Sequence, residues 1–247
     1  MLKTRVVALL LAGLLAAVPA VAIAATPREL AQTRALLAIE YMKFGNMRVA
    51  MENAEQAIAF DPGYQHGYLA KALILMQLNV DKEAEQAFQQ ALRIDGRNPE
   101  VNNNFGYFLC SRNRFDDALQ RFDQALADPF FDAPQSAMVN KALCLERMKR
   151  GEEASQLLLA ALRRAPNDPA ALRELTRMAL DRNNAEMADF YFQRISKDQR
   201  RNNAPELWLG VRLARLKHDE ATATQLASLL KNRFPDSPET QQLLSGN

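Results

Sequence analysis

The 247-residue sequence is poor in the residue types that enzymes use most for acid–base, nucleophilic or metal chemistry. It contains two cysteines, two histidines and nine glycines. His66 and His218 lie far apart and lack the usual zinc-ligand spacing with the cysteines. The sequence has no glycine-rich phosphate loop and no Gly-x-Ser-x-Gly nucleophile motif. We therefore expect no catalytic residues, no metal site and no cofactor, and a protein that is not an enzyme.

The sequence also lacks an excess of charge of one sign. Lysine and arginine together number 31, and aspartate and glutamate number 29. Acidic pairs such as Asp116-Asp117 and Glu152-Glu153 suit the starts of helices, where the helix dipole favours negative charge. This balance gives no indication of a nucleic-acid partner or a small-molecule substrate.

The N-terminus carries the pattern of a secretory signal peptide. Lys3 and Arg5 precede an apolar run over residues 6–18, and small residues follow up to Ala24. We expect cleavage after Ala24, with Ala25 as the alternative last residue of the signal. The competing interpretation is an uncleaved N-terminal anchor, although the apolar run is short for a membrane span.

No cysteine follows the apolar run, so no lipid anchor is seen. Residues 1–24 are therefore assigned to the signal peptide and residues 25–247 to one exported domain. We expect that domain in the periplasm, peripheral to the outer membrane only through a partner. Cleavage would remove two cations and no acids, leaving the mature chain close to neutral.

An internal repeat runs through the rest of the chain. Similar segments begin at residues 57, 91, 125, 161 and 195, which gives spacings of 34, 34, 36 and 34. The two extra residues fall around Asp128–Pro134, where two prolines favour a longer turn. A column of small residues has the same phase: Ala38, Ala72, Gly106, Ala142, Thr176 and Gly210. A column of mostly large apolar residues accompanies it: Ala54, Phe88, Phe122, Leu158, Phe192 and Leu226.

This pattern resembles the tetratricopeptide repeat, a helical hairpin of about 34 residues. The resemblance implies an all-α fold, a right-handed superhelical solenoid of about six repeats, without a sheet. The predicted repeats cover residues 31–64, 65–98, 99–134, 135–168, 169–202 and 203–236, followed by a C-terminal tail over residues 237–247.

In that family, the first helix of each repeat lines a concave groove that binds peptides. The family's groove positions map onto Ile39, Met42, Leu69, Leu73, Met76, Asn103 and Tyr107. The apolar members predict a groove for an apolar peptide, with methionines as an adaptable lining. The alternative is that these side chains only pack against adjacent helices. Asn103 and Tyr107 could hydrogen-bond a peptide backbone.

Cys110 and Cys144 fall on the first helices of neighbouring repeats. An oxidising compartment allows cysteines to pair, so we predict a disulfide between them. The alternative is two small buried thiols.

A closer resemblance rests on specific segments. These are "NNNFGYFLC" (102–110), "RFDDALQRFDQAL" (114–126), "NKALCLERMKRGEEA" (140–154) and "LWLGVRLARLKHDEATA" (207–223). They resemble the type IV pilus biogenesis and stability proteins of the PilF/PilW kind. The resemblance implies a periplasmic scaffold that binds a protein partner, either the outer-membrane secretin or another pilus assembly component.

The chain departs from several members of that family because it lacks the lipid-bearing cysteine. This puts a lipid-dependent piloting step in doubt, but not an assembly or stability role. The alternative function is an exported cell-envelope or secretion adaptor of the same repeat type, unrelated to pili.

Overall fold

The computed structural model describes residues 25–195 and 202–246. The predicted signal peptide lies outside the described residues. Within the described ranges the regular structure is helical and contains no strand. The helices are α1 (Pro27–Lys43), α2 (Met47–Phe60), α3 (Gln65–Gln77), α4 (Asp81–Ile94), α5 (Pro99–Ser111), α6 (Phe115–Leu126), α7 (Pro134–Arg147), α8 (Gly151–Arg164), α9 (Pro169–Asp181), α10 (Ala185–Ile195), α11 (Ala204–Leu216), α12 (Glu220–Arg233) and α13 (Pro238–Ser245).

The helices pack in consecutive pairs, and the pairs stack. Each odd-numbered helix from α1 to α11 packs against the even-numbered helix that follows it, and first helices also contact across repeats. The six pairs form the all-helical, right-handed superhelical solenoid that the repeat pattern predicts. None of the helices in the described ranges combines the length and the apolar character that a membrane span requires.

The two helices of a pair approach closely at the column of small residues. Ala38, Ala72, Ala142 and Thr176 are completely buried. At Gly106 a Cβ atom would lie 2.9 Å from the ring of Phe122, and at Gly210 it would lie 2.9 Å from Leu226 Cδ1. The large residue on the second helix therefore fills the space that the small residue on the first helix leaves.

Both ends of the array carry helical structure outside the six predicted repeats. α1 begins four residues before the predicted first repeat because Thr26 and Glu29 form a capping box, in which the Glu29 amide donates to Thr26 Oγ1 at 3.2 Å. The predicted C-terminal tail contains a helix, α13. Ser237 caps that helix, and Leu243 packs against the apolar cluster of α11 and α12. The two extra residues of the third repeat lie in the turn between α6 and α7.

The turn inside each helix pair repeats one backbone conformation that the sequence interpretation did not identify. Residues in the left-handed region follow every first helix, with φ between 54° and 76°: Gly45, Asn79, Asn113, Lys149, Asn183 and His218. Each turn has the Schellman pattern. In the second repeat, for example, the Val80 amide donates to the Leu75 carbonyl at 2.9 Å and the Asn79 amide to the Met76 carbonyl at 3.1 Å. Glycine and asparagine tolerate this conformation, whereas lysine and histidine are strained there.

A disulfide joins the third and fourth repeats. It links Cys110 on α5 to Cys144 on α7, whose Cα atoms are 5.8 Å apart. Both side chains are buried. The bond closes a loop of 34 residues and ties two first helices together next to the groove face.

Lys149→Gly should raise the free energy of unfolding by about 0.5–1 kcal/mol, because glycine adopts positive φ without a Cβ clash. Urea unfolding followed by circular dichroism measures the change. Asn183→Ala, at the matching turn of the next repeat, should lower stability by a similar amount. A Lys149→Gly variant no more stable than the wild type would contradict the strain argument.

The disulfide predicts that purified, unreduced protein shows no reactive thiol after unfolding. Ellman titration checks this, and two reactive thiols per chain would show that the cysteines are reduced.

A Cys110→Ser/Cys144→Ser variant should lose about 2–4 kcal/mol of stability, because its unfolded state regains the entropy of the open loop.

Candidate functional site

The first helices present a continuous face, and its apolar part lies on α1 and α3. Ile39 and Met42 are half-buried and pack against the cluster around Ala38 and Ile74. Leu73 and Met76 are half-buried against the cluster of the second and third repeats. Part of each side chain thus packs against the neighbouring helices, and the remainder is exposed. At these four positions a side chain can therefore both support the stack and line an open groove.

Leu69 departs from the groove prediction. Only 3% of it is exposed, and it belongs to the core cluster that includes Val101 and Leu109. Leu69 therefore supports the fold and cannot line an open groove. The helical period assigns it to the correct side of α3, but the next repeat covers it.

The most exposed apolar side chains of the first repeat were missed by the sequence interpretation. Leu36 is 68% exposed and Phe44 is 83% exposed. Leu36 lies three residues before Ile39 on α1, so the two side chains share one side of the helix. Leu37 and Tyr41 on α1, with Phe44 directly after the helix, are spaced i, i+4 and i+7 and form a second stripe.

The corresponding positions of a later repeat explain the second stripe. Phe105 and Leu109 occupy in α5 the phase of Leu37 and Tyr41 in α1, and both are buried in the cluster shared with the preceding repeat. No earlier repeat exists in the described part of the chain. The sequence could have indicated that this stripe is exposed, because α1 belongs to the first predicted repeat and no earlier predicted repeat covers it.

The middle of the face carries amide side chains. Asn103 was predicted as an open groove residue, but it is only 8% exposed and its Oδ1 accepts from Asn140 Nδ2 at 3.0 Å. The neighbouring asparagines serve the helix locally: Asn102 Nδ2 donates to the Gly96 and Asn98 carbonyls, and Asn104 Nδ2 donates to the Glu100 carbonyl. Tyr107 is exposed, as a groove residue should be.

An open cleft of about 510 Å³ runs across the first helices of repeats three to five. We call it the central cleft. Its lining residues are Tyr107, Cys110, Ser111, Asn140, Leu143, Glu146, Arg147, Glu174 and Arg177. The disulfide is thus part of its wall.

The far end of the central cleft is charged and internally paired. Arg177 on α9 contacts Glu146 of α7, and it donates to Glu174 at 2.9 Å and to Asp181 at 2.9 Å. Asp181 also accepts from Arg212 of α11 at 2.7 Å. Burial alone would lower the pKa of Arg177, but the hydrogen bond that Arg177 donates to Glu146 and the negative charge of Glu174 outweigh burial and raise the pKa. These pairs bridge three successive first helices.

The described residues do not combine histidine, cysteine and carboxylate groups into a cluster of three or more that would hold a metal. His66 lies on the exposed surface beside Glu100, at 3.1 Å, whereas His218 occupies a left-handed turn. The face therefore changes along its length from apolar, through amide, to charged. Such a surface is suited to binding a protein segment.

Comparison with known proteins identifies the repeat. The family model described as tetratricopeptide repeat matches residues 36–99 and 110–169. Among solved structures, PilW, described as a widely conserved type IV pilus biogenesis factor, has a TM-score of 0.73 and 33% identity; the match covers 87% of this chain and 99% of that one.

Two further matches concern one protein of Pseudomonas aeruginosa. The type IV pilus assembly protein PilF is 28% identical over 206 residues, which is 83% of this chain and 81% of PilF. Its solved structure has a TM-score of 0.72 and 26% identity, covering 90% of this chain and 99% of that one. The chain belongs to the tetratricopeptide repeat family and, within it, to the type IV pilus proteins of the PilF/PilW kind.

Proposed function

We propose that this protein is a non-enzymatic periplasmic scaffold in type IV pilus biogenesis that binds the outer-membrane secretin and supports its assembly. The observation that carries the proposal is the similarity to PilW, at 33% identity over 99% of that structure. The match spans nearly all of PilW, so it covers the whole array of repeats rather than a single one. PilF, named as a type IV pilus assembly protein, supports the same assignment.

The exposed apolar side chains of α1 and α3 support the proposal that the partner contributes an apolar segment. Leu36 exposes a large apolar side chain, and Ile39, Met42, Leu73 and Met76 add partly exposed ones. Exposed apolar patches on monomeric proteins often mark binding sites. An amphipathic or extended segment of the secretin would bury these side chains.

Leu36→Asp should abolish secretin assembly, because a charge at the groove border cannot be buried against an apolar segment. The measurement is a denaturing gel of unheated membranes from a deletion strain that carries the variant. We expect the heat-resistant secretin multimer in the strain restored with the wild type and its loss in the strain with Leu36→Asp.

Leu244→Asp is the matched control, since Leu244 on α13 is 71% exposed and lies at the opposite end of the array. This variant should keep the multimer. Multimers that persist in the deletion strain while pili are lost would place the protein at a later step. Normal multimers together with normal pili would favour an adaptor of this repeat type that is unrelated to pili.

The periplasmic assignment predicts that the mature chain begins at Ala25. Intact mass spectrometry of protein purified from a periplasmic extract measures this directly. A full-length chain retained in the inner membrane would instead support the uncleaved anchor.

A further inference from the structure

We propose that two copies of this chain pair through the second stripe of the first repeat, Leu37, Tyr41 and Phe44, with Tyr41 on the two-fold axis. The contact uses the side of α1 on which a preceding repeat would lie. Leu36 and Ile39 lie on a different side of the same helix, so the pairing leaves them uncovered. The proposal does not depend on the secretin or on any other pilus component.

The position of Tyr41 is buried in every later repeat. The residues at this position are only 1% to 8% exposed, and in chain order they are Leu75, Leu109, Leu145, Ala179 and Leu213. Each first helix after α1 packs against the second helix of the preceding repeat, which covers this position. Tyr41 itself is 38% exposed, because in the described part of the chain no helix precedes α1.

The residue types of the second stripe suit a contact between two protein surfaces. The later repeats carry aliphatic side chains at the position of Tyr41, which remain inside the stack. A tyrosine can bury its ring in a contact while its hydroxyl stays in water, which is why tyrosine is common at interfaces. Leu37 and Phe44 add one aliphatic and one aromatic side chain on the same side, 37% and 83% exposed.

The opposite end of the array argues against head-to-tail stacking of copies. α13 packs on α11 and α12 and so covers the last repeat. Gln241 and Gln242 of α13 are exposed, and Leu244 is its one exposed large apolar residue. A head-to-tail neighbour would set the second stripe against these amides. Two stripes that meet each other bury apolar surface on both sides and form a closed two-fold dimer.

The charges beside the stripe are self-complementary in such a dimer. An antiparallel pairing of two α1 helices, centred on Tyr41, brings Leu37 of one copy close to Phe44 of the second. The same pairing brings Glu40 to the level of Lys43 of the second copy. In the free chain Lys43 Nζ lies 2.7 Å from Glu40 Oε1, and both side chains are exposed. Two copies can therefore exchange these partners, so that opposite charges meet across the contact.

The first test measures the mass of the mature protein, purified from a periplasmic extract, by sedimentation velocity. One helix side buries less than the roughly 1,200 Å² of a standard interface, so we expect a weak dimer that forms above about 100 μM. The measured mass should therefore rise from one chain toward two as the protein concentration increases.

Tyr41→Arg should weaken the association at least about tenfold, because each guanidinium would face its own copy at the axis. Tyr107→Arg is the matched control: it makes the same change at a 46% exposed tyrosine on α5 and should associate as the wild type does. Circular dichroism checks that both variants fold. Phe44→Arg replaces Tyr41→Arg where that variant does not fold.

Cross-linking locates the axis. The chain has two cysteines, which are joined in the disulfide, so a cysteine introduced at position 41 is the only free thiol. Mild oxidation of Tyr41→Cys should give a covalent dimer on a non-reducing gel, because a residue on a two-fold axis lies opposite its own copy. Tyr107→Cys, treated in the same way, should remain a single chain.

A charge exchange tests the antiparallel arrangement. Glu40→Lys should weaken dimer formation about fivefold at low salt, since it places like charges beside the contact. Glu40→Lys/Lys43→Glu should restore dimer formation, because the opposite charges then meet with their positions exchanged.

A mass of one chain at every concentration would overturn the proposal and leave the second stripe to a different protein. A dimer that is equally strong in Tyr41→Arg would overturn it as well, by placing the contact elsewhere. Neither result bears on secretin assembly, since Leu36→Asp tests that function on another side of α1.

Discussion

The solenoid depends on the close approach of the two helices in each repeat. Gly106 and Gly210 mark the tightest points, where a Cβ would lie within 3 Å of a side chain on the second helix. Where the first helix carries alanine or threonine, the same column is completely buried. This contact fixes which side of every first helix faces its partner, and therefore which neighbouring positions of that helix remain partly exposed. The outward surface of the first helices is thus a consequence of hairpin packing, repeated six times in the described ranges.

The helix pairs and their stacking could be predicted because they depend on local periodicity, and the columns of small and large residues record that period directly. The burial of individual groove residues could not be predicted from this periodicity. Leu69 and Asn103 have the correct helical phase, but Leu69 is covered by the next repeat and Asn103 is buried beside Asn140, 37 residues away. Contacts between repeats determine the burial of both residues, and the sequence of a single repeat does not indicate those contacts. The left-handed turns were predictable in principle, since Gly45, Asn79, Asn113 and Asn183 are typical residues for positive φ.

The two halves of the face are built for different kinds of contact. In repeats one and two the apolar side chains pack with adaptable methionines, and half-buried residues can shift to fit a partner. In repeats three to five a disulfide and the ion pairs of Arg177 tie the first helices together. Arg177 is paired with three carboxylates and thus acts as a structural link between helices. A partner that spans the face would therefore meet an adaptable apolar region and a fixed polar one.

The two ends of the array also differ in how far their apolar side chains are covered. At the C-terminal end α13 covers the last repeat, with Leu243 packed inward and Thr240 Oγ1 donating to the Phe234 carbonyl at 2.7 Å. At the other end Leu37 and Tyr41 remain exposed in the described structure, although Phe105 and Leu109, at the same phase in the third repeat, are buried. Solenoids need polar outer faces on their terminal repeats to remain soluble, so an apolar first repeat has a cost in the free protein. A partner that covers the exposed apolar side chains of α1 would remove that cost.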